Sequence, residues 1–357
     1  MSSRVSRWIA LAGATFLAVL LLAGMFALVA GAEPPAPAEV AESGSPEVKA
    51  ASAAWSSGWI TITPGSYGVY YHNLGHPAED YAVEMLFRDA DGGLGIHRRF
   101  YGGADDSLGE YGAHWLNLTT NSIRVHRWSG DTTADEILIR VWVQTPAPEY
   151  DSGWITVEPA QTVTLTHGLG HAATDLAVSL WFSSSAGAGI NHFGYGGLAY
   201  DATKNLYGGY WHNLTDNTVQ VTRLAGASST AWMRVAVTQS AAPAYDSLVA
   251  LGGWQDVAAG AAFTFVHNLH SRPEQLLVRA ECRSPDPKLG IHQAFAGGEF
   301  DWRLPGWQGS NLQNISEYSV SVYRQPQDTL CPQMRVVIFQ LGHSLYMPLV
   351  MRSHSGP

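Results

Sequence analysis

Charge is scarce in this chain. Charged residues are only 14% of its 357, with 20 Lys or Arg against 30 Asp or Glu, a net −10 at neutral pH. A surface with so few cations does not neutralise phosphates, so nucleic acid is not an expected partner. Cysteine is almost absent: Cys282 and Cys331 form no Cys-x-x-Cys pair, which leaves no zinc or dithiol redox motif. No Gly-x-Ser-x-Gly, His-Glu-x-x-His, P-loop or dinucleotide fingerprint occurs, so the chain is predicted to be non-catalytic and to need no cofactor. The acid pair Asp105-Asp106 has the residue type used in glycoside hydrolysis. It lies in a Gly-rich loop and does not recur, so a glycan-acting enzyme ranks last among the expected functions. Helical periodicity is also missing, because no segment after residue 33 sustains a 3.6-residue apolar repeat of helical length.

What is present is aromatic. Aromatics reach 11%, with 13 Trp and 15 Tyr. Low charge and high aromatic content argue for packed structure rather than disorder. The N-terminus holds Arg4 and Arg7, then an uncharged apolar run from Trp8 to Ala30, then Ala30-Gly31-Ala32, which has the form of a cleavage site. Residues 1–32 read as a cleaved signal peptide or as an uncleaved signal anchor that tethers the chain to a membrane through residues 8–30. Either way the rest lies outside the cytoplasm. Without 1–32 the balance is 18 basic against 30 acidic residues, a net −12. Residues 33–54, rich in Ala, Pro, Glu and Ser, read as a flexible linker. In an oxidising compartment Cys282 and Cys331 suit a disulfide, and two buried thiols are the alternative.

The central feature is self-similarity. Ser57-Gly58-Trp59-Ile60-Thr61 recurs as Ser152-Gly153-Trp154-Ile155-Thr156 and, more loosely, at Gly253-Trp254. His72-Asn73-Leu74-Gly75 recurs as His167-Gly168-Leu169-Gly170 and His267-Asn268-Leu269. Gly95-Ile96 precedes Tyr101-Gly102-Gly103, as Gly189-Ile190 precedes Tyr195-Gly196-Gly197 and Gly290-Ile291 precedes Ala296-Gly297-Gly298. Asn117-Leu118-Thr119, Asn213-Leu214-Thr215 and Asn314-Ile315-Ser316 each lead into a strand ended by Arg127, Arg223 or Arg324. Three tandem β-modules are therefore predicted, at 55–146, 150–241 and 245–342, followed by a tail at 343–357. Runs such as Tyr81–Phe87 and Glu136–Val143 read as strands, and Asp89–Gly93 reads as a turn. Asp89-x-Asp91-Gly92 is not an EF-hand, since Phe100 stands where Glu is needed. Short strands with frequent turns make the expected fold class all-β, with antiparallel sandwiches. The linkers, Thr145–Asp151 and Ser240–Asp246, are too short for wide independent motion.

His126, Arg127, Trp128 and Asp131 offer an aromatic face and polar groups within one strand and loop, the chemistry that holds sugars. The opposing reading makes Trp128 a cover for the sandwich edge and Arg127 half of an ion pair. Arg223, Arg324 and Asp328 are the repeat equivalents. His72, His167 and His267, once per module, read as turn caps rather than metal ligands. The repeated Asn-x-Thr/Ser sequons read as turns.

The run Asn117–Thr132 resembles the late part of an H-type lectin domain, a small antiparallel β-sandwich that assembles as trimers and binds galactose-type sugars. There an Asn-hydrophobic-Thr turn leads into a strand, a loop with Trp and Asp-Thr, and a closing strand, here Ile137–Val143. The third module keeps Asp328 and Thr329 without the Trp; residues 224–230 of the second keep neither Trp nor Asp. The resemblance implies sugar binding and an intramolecular pseudo-trimer. The His-Asn-Leu-Gly start is also similar to β-modules of phage tail fibres, and Tyr346–Arg352 resembles the tail of many exported bacterial proteins. The expected function is an exported or cell-surface glycan-binding protein with several weak sites. A structural or adhesive module that contacts other proteins is the alternative.

Overall fold

The computed structural model describes residues 54–106, 109–184, 189–200, 205–226, 230–240, 242–301 and 306–341. The expected export segment, the tail and all of the linker but Ala54 lie outside the described residues. Those described fall in one structural unit, Val48–Pro357. The fold is all-β, built of antiparallel sheets. Among the described residues the only α-helix is the five-residue Ser247–Leu251, opened by the Asp246 carboxylate and closed by left-handed Gly252.

One set of sheets occurs three times along the chain. In the first, Trp55–Ile60, Glu136–Val143, Tyr81–Arg88 and Ile96–His97 lie side by side in that order. A second sheet runs Tyr67–Tyr71, Ser122–Arg127, Ala113–Leu116, and a hairpin pairs Ala104–Asp106 with Gly109–Tyr111. The later sets repeat this order around the long strands Leu176–Ser184 with Trp232–Gln239, and Leu276–Arg283 with Gln333–Gln340. The two main sheets of a set share one core: Met85, Phe87, Ile139 and Val141 from one meet Trp115, Ile123 and Val125 from the other, all fully buried. The alternation in Tyr67–Tyr71 follows from its place at a sheet edge, with every second side chain in solvent. Glu136–Val143 lies between two strands and is buried on both faces over most of its length. Cys282 and Cys331 are joined by a disulfide in the third set.

The sets are tied to one another by the motifs that repeat. Leu118 N donates to Ile190 O (3.1 Å), Leu214 N to Ile291 O (3.2 Å) and Ile315 N to Ile96 O (2.9 Å), so the third set returns to the first. The repeated asparagines adopt left-handed backbone (φ 49°, 48° and 51° for Asn117, Asn213 and Asn314) and sit against the glycine of the next set. A Cβ on Gly189, Gly290 or Gly95 would fall 2.9, 3.1 or 3.0 Å from the respective Asn Oδ1. Deeper in, Gly194 N donates to Gly102 O, Phe295 N to Gly196 O and Phe100 N to Gly297 O, at 2.9, 2.7 and 2.8 Å. A Cβ on Gly102, Gly196 or Gly297 would lie within about 3.0 Å of the backbone of Tyr195, Ala296 or Tyr101. The second position of the Tyr-Gly-Gly repeat is thus glycine because three backbones cross there at hydrogen-bonding distance.

Buried arginines add a second tie. Arg234 reaches Glu79 O while paired with Asp151. Arg335 reaches Thr174 O (2.6 Å) while paired with Asp246 and Glu281. Arg140, paired with Glu84, reaches Glu274 O (2.6 Å) and Leu276 O (2.7 Å). The three acceptor carbonyls of Glu79, Thr174 and Glu274 occupy the same place in three short 3₁₀ turns. Each buried guanidinium meets both a carboxylate and the neighbouring set, which offsets its desolvation.

Gly196→Ala is expected to destabilise the fold by roughly 2 kcal/mol or more, since it adds backbone strain and a clash with main chain. Gly93→Ala, where nothing lies within 4 Å, is expected to be near neutral. Urea unfolding of both variants checks this; equal stability would contradict the close approach.

Candidate functional site

The residues singled out from sequence come together, but largely with their hydrogen-bonding capacity used by the chain itself. Asp131 accepts from Gly112 N (3.0 Å), Ala134 N (3.0 Å), Thr133 Oγ1 (3.2 Å) and Arg127 Nε (2.8 Å), and Arg127 also donates to Ile62 O (3.1 Å). Arg324 and Asp328 repeat this (2.7 Å), with Arg324 on Val257 O (2.8 Å). Arg223, whose set lacks the Asp, still holds Val157 O (2.7 Å). The arginine that ends each strand therefore clamps an early loop of its own set. His126 stacks on Tyr67 (4.1 Å between centroids) and, with His114, packs against Trp128. His72, His167 and His267 accept from the N–H two residues on at Nδ1 (3.3, 3.3 and 3.2 Å).

A seam runs between each set and the next. On the outer side of each, the third residue after the Gly-Ile motif faces the three-stranded sheet of the preceding set. At the first seam that residue is Phe193, whose ring lies 4.9 Å from His114 and 5.9 Å from Trp128. At the second it is buried Ala294, and His212 spans the seam from Thr222 Oγ1 (2.9 Å) to Lys288 O (2.8 Å). At the seam where the third set returns to the first it is Arg99. Arg99, Trp307, Asn311, Gln313, Tyr323 and Gln325 there line a cleft of about 460 Å³. The positions of Asn311, Tyr323 and Gln325 correspond in strand register to His114, His126 and Trp128. Asn311 and Gln325 are both only 3% exposed. Asn311 Oδ1 and Nδ2, Gln325 Nε2 and Arg99 Nε are buried without a hydrogen-bond partner.

The inner side of the seams shows the same asymmetry. At the first, Trp115 Nε1 donates to Tyr101 Oη (3.0 Å), which lies 2.7 Å from His192 Nδ1; His192 Nε2 lies 2.8 Å from Leu180 O. A carbonyl only accepts, so Nε2 carries the proton and Nδ1 accepts from the tyrosine. At the second, Tyr195 Oη (2.6 Å) and Trp211 Nε1 (3.1 Å) both donate to Gln293 Oε1. At the third, Leu312 and Ala296 replace Trp and Tyr, and Arg98 stands where His192 and Gln293 do. A cavity of about 140 Å³ on this inner side is lined from all three sets, by Arg98 and Glu84 of the first, His192 of the second and Arg279 of the third among others.

Sequence reasoning missed this cleft because it sought the same residues in every module, whereas at the open seam two amides and a phenol replace them. The signal was the run Tyr323-Arg324-Gln325, whose polar residues stand in the register of His126-Arg127-Trp128. Among the described residues no group of three His, Cys, Asp or Glu is placed to hold a metal ion. No family model, curated protein or solved structure matches the chain.

Burial pushes His192 down to about 3, and His126 and His292 to about 4. The unfolded chain takes up these protons near pH 6.5, the folded chain only near 3–4, so their contribution is intact above about pH 6.5 and is lost as pH falls. At pH 5 His192 and His292 each cost about 2 kcal/mol, and the less enclosed His126 costs less. The melting temperature is expected to drop steeply between pH 7 and 5, and His192→Gln, which imports the residue at position 293, to flatten that drop. A pH-independent melting temperature would contradict the assignment of neutral buried imidazoles.

Proposed function

We propose that this is an exported or cell-surface binding protein, non-catalytic and lectin-like, whose ligand is a saccharide. In this reading three copies of one β-sandwich module close into an intramolecular counterpart of a trimer. The repeated sheet order and the backbone bonds that run from first to second, second to third and third to first support the closed arrangement. Export rests on Arg4, Arg7 and the apolar run to Ala30, and a disulfide suits an oxidising compartment.

The observation that carries the saccharide reading is the set of four buried, partnerless polar atoms on Asn311, Gln325 and Arg99, residues that line the cleft with Trp307 and Tyr323. A buried donor or acceptor without a partner costs about 1–3 kcal/mol. Asn311 strands one of each kind, and adjacent sugar hydroxyls both donate and accept. Aromatic rings at the same cleft suit the apolar face of a pyranose. Since the other two seams are occupied by Phe193 and by His212, the multivalency expected from three modules narrows to one principal site per chain.

A second reading has its own observation. Tyr67, Val69 and Tyr71 project from an edge strand at 50%, 53% and 68% exposure, where the second set carries Thr162, Thr164 and Thr166. An apolar, aromatic sheet edge suits contact with another protein or a second copy of the chain.

A glycan array probed with the full chain separates the two. Selective binding is expected, reduced at least tenfold by Asn311→Ala and unchanged by Trp128→Ala at the filled seam. A blank array, with concentration-dependent self-association abolished by Tyr71→Ser, would replace the saccharide reading with the adhesive one.

A further inference from the structure

Arg99 gives the cleft a charge that its counterparts lack, since the equivalent positions hold Phe193 and Ala294. It forms no ion pair among the described residues; its guanidinium lies over the ring of Phe100 at 4.4 Å. Burial pushes its pKa down, yet an arginine stays charged at any physiological pH. Two carboxylates outside the cleft, Asp131 and Asp89, favour that charge; Asp131 already accepts four hydrogen bonds, and Asp89 accepts from Gly92 N (2.8 Å). No acid lines the cleft: its walls are amide, phenol, indole and apolar groups. In a chain with 30 acids, a half-buried cation that lines a cleft without an acid and forms no ion pair among the described residues favours an anion there.

The cleft, at about 460 Å³, falls in the range of small-molecule sites, about 300–1,000 Å³. A guanidinium presents a planar fork of donors that matches a carboxylate with two parallel hydrogen bonds. We propose that the seam between the third and first sets selects a sugar that carries a carboxylate, paired by Arg99 while Asn311 and Gln325 take its hydroxyls. This rests on the saccharide reading above and adds the charge of the ligand to it. The neutral sugar of an uncharged glycan leaves the guanidinium desolvated and unpaired, so the site discriminates by penalty as well as by attraction.

The test is an array of matched neutral, carboxylated (uronic or sialic acid) and sulfated glycans, probed with the full chain, Arg99→Gln and Arg99→Lys. Thermal unfolding serves as the check that each variant folds. Carboxylated glycans are expected to bind at least tenfold better than their neutral counterparts. Arg99→Gln should erase that preference, Arg99→Lys should keep part of it, and rising salt should weaken it. Equal binding of neutral glycans, or loss in Arg99→Gln that is the same for neutral and acidic ones, would overturn the charge assignment and leave the saccharide reading standing. A preference for sulfated over carboxylated glycans would overturn the carboxylate. A blank array would remove both.

Discussion

Three backbones meet where Gly102, Gly196 and Gly297 pass the chain of the next set, and the rest of the arrangement is organised around that approach. Main chain bonded to main chain at 2.7 to 2.9 Å leaves no room for a Cβ, and it fixes how far apart the sets stand. Everything further out follows that spacing. The left-handed asparagines reach the opposing glycines, and Arg140, Arg234 and Arg335 reach the opposing 3₁₀ turns. Cores join across the seams as well: Trp181 and Ala236 belong to the core of the first set, Leu86 and Leu138 to that of the third. A module of this size with one face so committed to its neighbours gains much of its burial from them.

Repetition makes the three seams alike in backbone and leaves side chains free to differ. Two seams are filled, by Phe193 outside with the Trp115–Tyr101–His192 chain inside, and by His212 outside with Gln293 inside. The third, where the chain returns on itself, carries Arg98 and Arg99, one toward each cavity. It is instead held at its margin by Trp59 Nε1 on Glu274 (2.9 Å) and by Arg88 near the same carboxylate (3.5 Å). A covalent chain of unequal copies can specialise one interface in this way, which an assembly of identical subunits cannot do.

Much of the architecture was legible in the residues. Strands such as Glu136–Val143 and the Asp89–Gly93 turn follow from β-branched runs and turn chemistry. The repeat itself announced that Tyr-Gly-Gly, Gly-Ile and Asn-x-Thr/Ser matter, and the sequons are turns as read. Their purpose was not legible, because each motif completes its contact with a motif of a neighbouring set, about 70 to 220 residues away, and periodicity reports only local partners. The constellation of His126, Arg127, Trp128 and Asp131, expected from sequence to hold a sugar, illustrates the same limit. Its residue types are those of a ligand site, but Arg127 and Asp131 are 4% and 2% exposed and bond to loop backbone, which sequence spacing alone does not distinguish.

Closure of the chain on itself is the claim on which the seams, and with them the cleft, depend. Small-angle scattering of residues 54–341 tests it most directly. A closed arrangement predicts a radius of gyration of about 19 Å, the value expected for a compact chain of this length, at the mass of one chain. A much larger radius with a rod-like distance distribution, or a compact particle only at the mass of several chains, would contradict it.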